Sequence, residues 1–244
     1  MTELVNEYDE ALAAAYDEDV ADAFSPAVIE PTVTLLSSLA GEGKALEFAI
    51  GAGRIGLPLS QAGIAVHGIE MSEPMLARLR QKPGAERLGL THGDMASTRV
   101  EGEFSLVYLV FNTIMNLRSQ SAQVACFRNA AAHLQPGGCF VVEVLVPRLR
   151  DLAPWERVKP FDLTDRHIGI DRYTDFTAQI LESHHYFNDA GRFRHHFASY
   201  RWVWPSELDL MAQLAGLSLV ERWADWDRSP FTDECVTHVS VWRK

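Results

Sequence analysis

Two periodicities divide this chain. Through residues 3–17 the apolar positions Leu4, Val5, Tyr8, Leu12, Ala15 and Tyr16 recur at helical spacing. A second helix opens at Ser25-Pro26, a capping residue followed by a proline suited to the first helical position, and runs towards Ala40. Pro31 inside it marks either a kink or the true start, and Gly41-Glu42-Gly43 breaks the chain. From Ala45 to Val146, short apolar runs at 45–50, 65–70, 88–91, 104–110 and 138–146 alternate with helical stretches at 54–62, 72–82 and about 120–134. That alternation predicts right-handed crossovers and a parallel sheet with helices on both faces. After Pro147 the period shortens to two. Residues 171–187 and 192–204 alternate polar with apolar around Asn188-Asp189-Ala190-Gly191, which predicts a long antiparallel hairpin. A helix from Pro205-Ser206-Glu207 to Gly216 and strands at 217–224 and 234–243 complete the chain. With no repeats and no linker rich in Gly or Ser, the pattern is a single α/β domain: a doubly wound, mostly parallel seven-stranded sheet, an antiparallel C-terminal edge and a hairpin inserted after the fifth strand.

Composition narrows what such a domain does. The chain has 244 residues, 47% of them apolar, enough for one full core. Lys and Arg total 22 against 33 Asp and Glu, and a net charge of −11 repels polyphosphate, so no nucleic-acid partner is expected. The acidic opening (Glu3, Glu7, Asp9, Glu10, Asp17, Glu18, Asp19) does not read as a signal or transit peptide. The longest apolar run, Leu106 to Phe111, is too short to cross a bilayer, so no membrane partner is expected either. Cys126, Cys139 and Cys235 lack any C-x-x-C pairing and read as core thiols of a reduced, cytoplasmic protein.

The chemistry begins at Leu46-Glu47-Phe48-Ala49-Ile50-Gly51-Ala52-Gly53-Arg54-Ile55-Gly56, an apolar strand running into a glycine turn that opens a helix. Glycines there let a cofactor lie against bare backbone. The spacing also satisfies G-x-G-x-x-G, with Glu70 following 19 residues after Gly51, so a nicotinamide dinucleotide and an NAD-dependent oxidoreductase compete for the motif. Glu47 argues against that, because an acid inside the strand would repel two phosphates. A sulfonium cofactor favours it: Glu47 suits its ammonium group, Glu70 its ribose hydroxyls, and Asp94 in His92-Gly93-Asp94-Met95 its adenine amine. Met71, Met75 and Met95 stand where polarizable thioethers sandwich an adenine.

Leu46–Leu59, His67–Ser72, Gly93-Asp94-Met95, Phe104–Leu117 and Leu134–Gly138 resemble, in order and spacing, the successive motifs of class I S-adenosylmethionine-dependent methyltransferases of the small-molecule type. The resemblance implies a Rossmann-like core at 45–146, an N-terminal helical lid at 1–44, a substrate cap at 147–204 and a closing helix and sheet edge at 205–244. It also implies S-adenosylmethionine as cofactor, with S-adenosylhomocysteine as product. The cofactor would be held by Tyr16, Glu47, Ala49, Gly51, Gly53, Arg54, Glu70, Met71, Met75, Asp94, Met95 and Phe111. In small-molecule members a tyrosine of the N-terminal helix folds over the methionine end of the cofactor. Tyr16 looks like that residue, Tyr8 is a weaker candidate, and the plainer alternative is that both only pack a helix stripe.

The acceptor side follows the fourth strand, at Val110–Leu117, where strand ends face the ligand crevice. The Asn/Asp-Pro-Pro-aromatic run of nucleobase and glutamine methyltransferases is absent, and Asn116 stands near where related aminosugar N-methyltransferases carry a histidine. Asn112 either orients the acceptor or ties the loop. In the hairpin, His184-His185-Tyr186 and Arg194-His195-His196 face one another, each pair sending one ring inward, with Tyr200 beyond. Histidine suits removal of a proton near neutral pH. The candidate catalytic residues are therefore His184, His196, Asn112 and Tyr200. No carboxylate or cysteine completes a metal-ligand set around the histidines, so no metal is expected. The expected function is methyl transfer by in-line displacement to N or O of a small organic acceptor in secondary metabolism, with a homodimer as candidate assembly. A protein that binds the cofactor without transferring methyl is the remaining alternative.

Overall fold

The computed structural model describes residues 21–189 and 191–244; the first predicted helix, with Tyr8 and Tyr16, lies outside the described residues. Helix α1 (Pro26–Ala40) starts with its proline in the first turn, runs through Pro31 and ends where Gly41, at φ +56°, turns its N–H back to Ser37 O at 3.0 Å. The core then alternates: β1 (Ala45–Phe48), α2 (Gly56–Gln61), β2 (Val66–Glu70), α3 (Glu73–Arg80), β3 (Gly89–His92), β4 (Phe104–Leu109), α4 (Gln120–His133) and β5 (Leu134–Leu145). β4 is buried along its whole length, as an apolar run must be when helices cover both faces of a parallel sheet. One face packs Phe48, Phe127, Phe140 and Trp242; the other packs Leu36, Ile55, Leu59 and Tyr108.

Two elements after β5 belong to this sheet at its far side: α5 (Pro205–Leu214) leads to β10 (Ser218–Trp223), and β11 (Thr237–Arg243) closes the chain. The strand order is β10-β11-β5-β4-β1-β2-β3. β11 is antiparallel to both neighbours, so β10 at the edge runs with the parallel set. The seven-stranded sheet expected from the sequence is present, and its last strand in sequence slots inside the edge.

The insertion is larger than one hairpin. It is a four-stranded antiparallel sheet of β6 (Val158–Leu163), β7 (His167–Asp175), β8 (Ile180–Asp189) and β9 (Arg192–Arg201) in sequential order. The stretch 171–187, read as one strand, is the end of β7, a turn and most of β8. That turn has no Gly or Pro: Asp175 Oδ1 accepts from Thr177 N and Ala178 N, each at 2.8 Å, and Gln179 takes φ +62°. Gln179 is held there by its neighbours. Its Nε2 donates to Trp202 O and Glu207, and its Oε1 accepts from Arg201 at 2.6 Å. Arg201 also reaches Gln123 Oε1 at 2.5 Å and Glu207 Oε1 at 2.7 Å, which pins the inserted sheet to α4 and α5. No helix among the described residues is long and apolar enough to cross a membrane.

Candidate active site

A cavity of about 510 Å³ opens between the C-terminal ends of β1, β4 and β5 and one face of the inserted sheet. This is the crevice edge of a doubly wound sheet. Glu47, Ala49, Gly51, Arg54 and Phe111 line one end; Asn112, His196 and Tyr200 line the other.

The glycine turn is held by two carboxylates. Glu70 Oε2 accepts from Gly51 N at 2.9 Å and Oε1 from Ser72 N at 2.8 Å. Burial pushes its carboxyl up, against those backbone N–H groups, which hold it down. A carboxylate has about four acceptor positions and the backbone N–H groups of Gly51, Ser72 and Met71 take three, which leaves one for a hydroxyl. Glu47 is 3% exposed and accepts from Tyr108 OH at 2.9 Å. Burial raises its pKa from 4.5 to about 8, with the Tyr108 hydrogen bond and the Arg54 charge opposing. Desolvation outweighs both, so a further cation beside Glu47 would favour its ionised form. Gly51, at φ +56°, leaves bare backbone beside it, and a Cβ there would stand 3.4 Å from Met75 Cε. A cationic, phosphate-free cofactor fits this set. Gly56 has a different reason: a Cβ would come within 2.7 Å of Glu47 Oε2 and of Ile50 Cδ1. Gly56→Ala is therefore expected to cost about 1–3 kcal/mol by overpacking, read from denaturant midpoints.

Three residues at the cavity carry left-handed backbone without being glycine: Ala49 at φ +54°, Phe111 at +59° and Asn112 at +62°. The last two are clamped by β5. Phe111 N donates to Glu143 Oε2 at 2.8 Å, Asn112 Oδ1 accepts from Leu145 N at 2.7 Å, and Glu143 Oε1 accepts from Trp226 Nε1 at 3.0 Å. The oxygen of Asn112 is thus committed to the loop, leaving its NH2 end for a ligand. Arg54 stacks over the Phe111 ring at 4.6 Å and donates to Ala23 O at 3.3 Å, bridging the turn, the floor and the N-terminal segment.

The remaining sequence candidates lie outside the cavity wall. Met71, Met75, Asp94 and Met95 sit past the ends of β2 and β3, on the same edge as Glu70, while Gly53 takes φ +80° with Leu79 Cδ1 2.4 Å from a would-be Cβ. Asp94 Oδ1 caps its own turn, accepting from Ala96 N at 2.8 Å. His184 requires correction. In the β8–β9 register His185 opposes His196 and His184 opposes Phe197, so His185 and His196 share the cavity face while His184 turns to the other. There His184 lies parallel to His195 at 5.4 Å with its Nδ1 3.1 Å from His195 Nε2. The cavity face also brings in Lys159, Asp171, Ser183 and His185, which sequence reasoning missed. Asp171 is pushed up by burial, against a hydrogen bond from Ser183 and the charge of His184.

A family model described as a methyltransferase domain matches residues 45–138. The solved structure of the CcbJ methyltransferase from Streptomyces caelestis is 36% identical, covers 97% of both chains and superposes with a TM-score of 0.86. A cypemycin N-terminal methyltransferase from a Streptomyces species is 26% identical and covers 92% of both chains. A dTDP-3-amino-3,4,6-trideoxy-alpha-D-glucopyranose N,N-dimethyltransferase from Streptomyces venezuelae is 38% identical over 77 residues, 31% of each chain. Shared identity over nearly the whole chain, the strand order and the acid-flanked glycine turn agree, and the nicotinamide alternative falls. The chain belongs to the class I S-adenosylmethionine-dependent methyltransferases.

Proposed function

We propose that this enzyme methylates an N or O atom of a small organic acceptor of secondary metabolism by in-line displacement. The observation that carries the reading is a continuous cavity that joins the glycine turn to the inserted sheet. One end suits a cation: Glu47 is buried with its desolvation only partly offset by Tyr108 and Arg54, and Glu70 keeps one acceptor position. The other end offers Asn112, His196 and Tyr200 against apolar walls from Tyr173, Leu181 and Trp202. Two of the relatives are named for methylating a peptide N-terminus and an amino sugar nitrogen, which supports a nitrogen acceptor.

When bound, the cofactor supplies a methyl carbon already activated by its sulfonium. The chain's own residues then bind, orient and exclude water. In this reading Glu47 pairs the cofactor's ammonium, Glu70 its ribose and Asp94 its adenine amine; Phe111, fixed by Glu143 and Arg54, forms the floor. Orientation alone accounts for much of the rate, since well-aligned groups reach effective molarities of about 10⁵–10⁸ M. The exposed apolar side chains Val158, Leu163, Phe193 and Phe197 on the outer face of the inserted sheet support the homodimer, which sedimentation in solution tests.

Calorimetry and mass spectrometry test the assignment. S-adenosylhomocysteine should bind the wild type, and Glu70→Ala and Asp94→Ala should each weaken it about tenfold or more, one lost hydrogen bond to a charged group being worth about 1.5–3 kcal/mol. Unchanged affinity in both variants would remove Glu70 and Asp94 from the cofactor site. A panel of small amines, amino sugars and phenols should yield a product 14 mass units heavier. Cofactor binding with no product across the panel would overturn the reading.

A further inference from the structure

We propose that Asp171 binds the acceptor through a positively charged amine, so that the enzyme selects organic ammonium compounds over neutral alcohols and phenols. The inference rests on the cavity being the methyl-transfer pocket.

Strand register sets this acid in the middle of the inserted sheet's inner face. Lys159 of β6 stands opposite Asp171 on one side and Ser183 of β8 on the other. All three line the cavity, as directly paired residues on one face of a sheet must. Along β7 the next residues on that face are Gly169 and Tyr173, each about 7 Å away. Gly169 has no side chain to fill its place, and the Phe161 ring occupies it: a Cβ there would stand 2.2 Å from that ring. The acid is thus flanked along its strand by two aromatic side chains, Phe161 and Tyr173, both in the cavity wall. Leu181, opposite Tyr173, and Trp202 add apolar surface to the same cavity.

A lysine directly across from an aspartate would ordinarily close an ion pair. Here Lys159 Nζ lies instead 2.5 Å from Asp151 Oδ2, which Arg148 Nη2 also reaches at 2.6 Å. Hydrogen bonds from those two cations hold the Asp151 carboxyl below the usual range. Among the described residues Asp171 forms no salt bridge. It receives a hydrogen bond from the Ser183 hydroxyl and feels the charge of His184, while burial outweighs both and pushes its carboxyl up. Ser183 fills one of about four acceptor positions on a carboxylate. A cation brought into the cavity would therefore favour the ionised form of Asp171. Tyr173 beside it stays neutral: burial and then the Asp171 charge push its hydroxyl up to about 12, against Arg148.

That combination discriminates among small acceptors. An organic ammonium gains a charge-assisted hydrogen bond to the carboxylate, and aromatic neighbours favour a cation further. A neutral hydroxyl offers only an uncharged hydrogen bond, and an anionic group would be repelled by the acid. The carbon skeleton of the amine is accommodated by Phe161, Tyr173, Leu181 and Trp202. At the far end of the cavity Glu47 takes the cofactor's own ammonium, so two acids at two ends serve two cations. Asp171 acts here in recognition: the contact holds the acceptor in place and no bond is made or broken at it.

Matched probes test this on full-length enzyme saturated with S-adenosylhomocysteine, which in this reading fills the Glu47 end. By calorimetry, cyclohexylmethylamine should bind about 10–100-fold more tightly than cyclohexylmethanol, and benzylamine than benzyl alcohol, as one hydrogen bond to a charged group allows. Asp171→Asn should remove most of that preference and leave S-adenosylhomocysteine affinity unchanged, while Asp171→Glu should retain it. On amine acceptors found by the panel, Asp171→Asn should raise KM about tenfold or more and lower kcat by less. Alcohols that bind the wild type as tightly as the amines would overturn the proposal without any variant. So would an amine preference undiminished in Asp171→Asn, or a panel in which only phenols are methylated. A wild type that binds no S-adenosylhomocysteine, or binds it and methylates nothing, would instead overturn the reading of the pocket beneath it.

Discussion

Glu47→Gln is expected to make this enzyme more stable at pH 8.5 and barely more stable at pH 4, while weakening its hold on S-adenosylmethionine. The folded protein keeps the Glu47 carboxyl protonated up to about pH 8, whereas the unfolded chain ionises it near 4.5. Between those values the native state binds one more proton than the unfolded state, so stability falls as pH rises and levels off above about 8. The interval corresponds to at most about 5 kcal/mol, or about 10 °C in Tm for a domain of this size. Glutamine keeps an acceptor for Tyr108 OH and removes the titration. Thermal melts of both proteins across pH 4–9 check this: parallel curves would mean that Glu47 ionises normally in the fold. The binding side has the opposite sense. A cation brought to Glu47 lowers its pKa, so cofactor binding should release protons and tighten as pH rises towards 8. Calorimetry in two buffers of different ionisation enthalpy counts those protons, and Glu47→Gln should release none from this group.

The second large effect lies at Arg201, where the inserted sheet is fastened to the core. Its guanidinium is 4% exposed and is shared by Gln123, Gln179 and Glu207, so Arg201→Met strands one buried and two half-buried acceptors together. Burial pushes the Glu207 carboxyl up, but hydrogen bonds from Gln179, Gln120 and Arg201 outweigh it and hold it below the usual range. Breaking such a pair from one side costs about 3–5 kcal/mol, and the loss should shrink as pH falls through the carboxylate range. Arg201→Met with Glu207→Gln should recover a good part of it, because the carboxylate is no longer left uncompensated. Denaturant titration of the two variants decides the matter: equal losses would mean that the cost is packing and not charge.

The parts legible in the sequence were those governed by local rules. The runs around β1, β2 and β4 and the glycine turn announced a parallel sheet and its crevice, and Glu47 and Glu70 announced a cationic ligand. What failed was long-range. The turn at Asp175–Gln179 has no residue that demands a turn; it exists because Arg201 and Glu207 hold Gln179 at φ +62°. His184 and His185 are equivalent by alternation alone, and only pairing with His196 says which one faces the cavity.

The two sheets share no strand: β6 to β9 pair as strands only with one another, and the seven-stranded sheet is complete without them. In the proposed reading, the small sheet supplies most of the acceptor wall and the large sheet holds the cofactor. On that reading the inner face of the small sheet can be exchanged while the fastening at Arg201 is kept. A library confined to the inward positions of β6, β7 and β8 should yield new acceptor preferences on an unaltered methyl-donor platform.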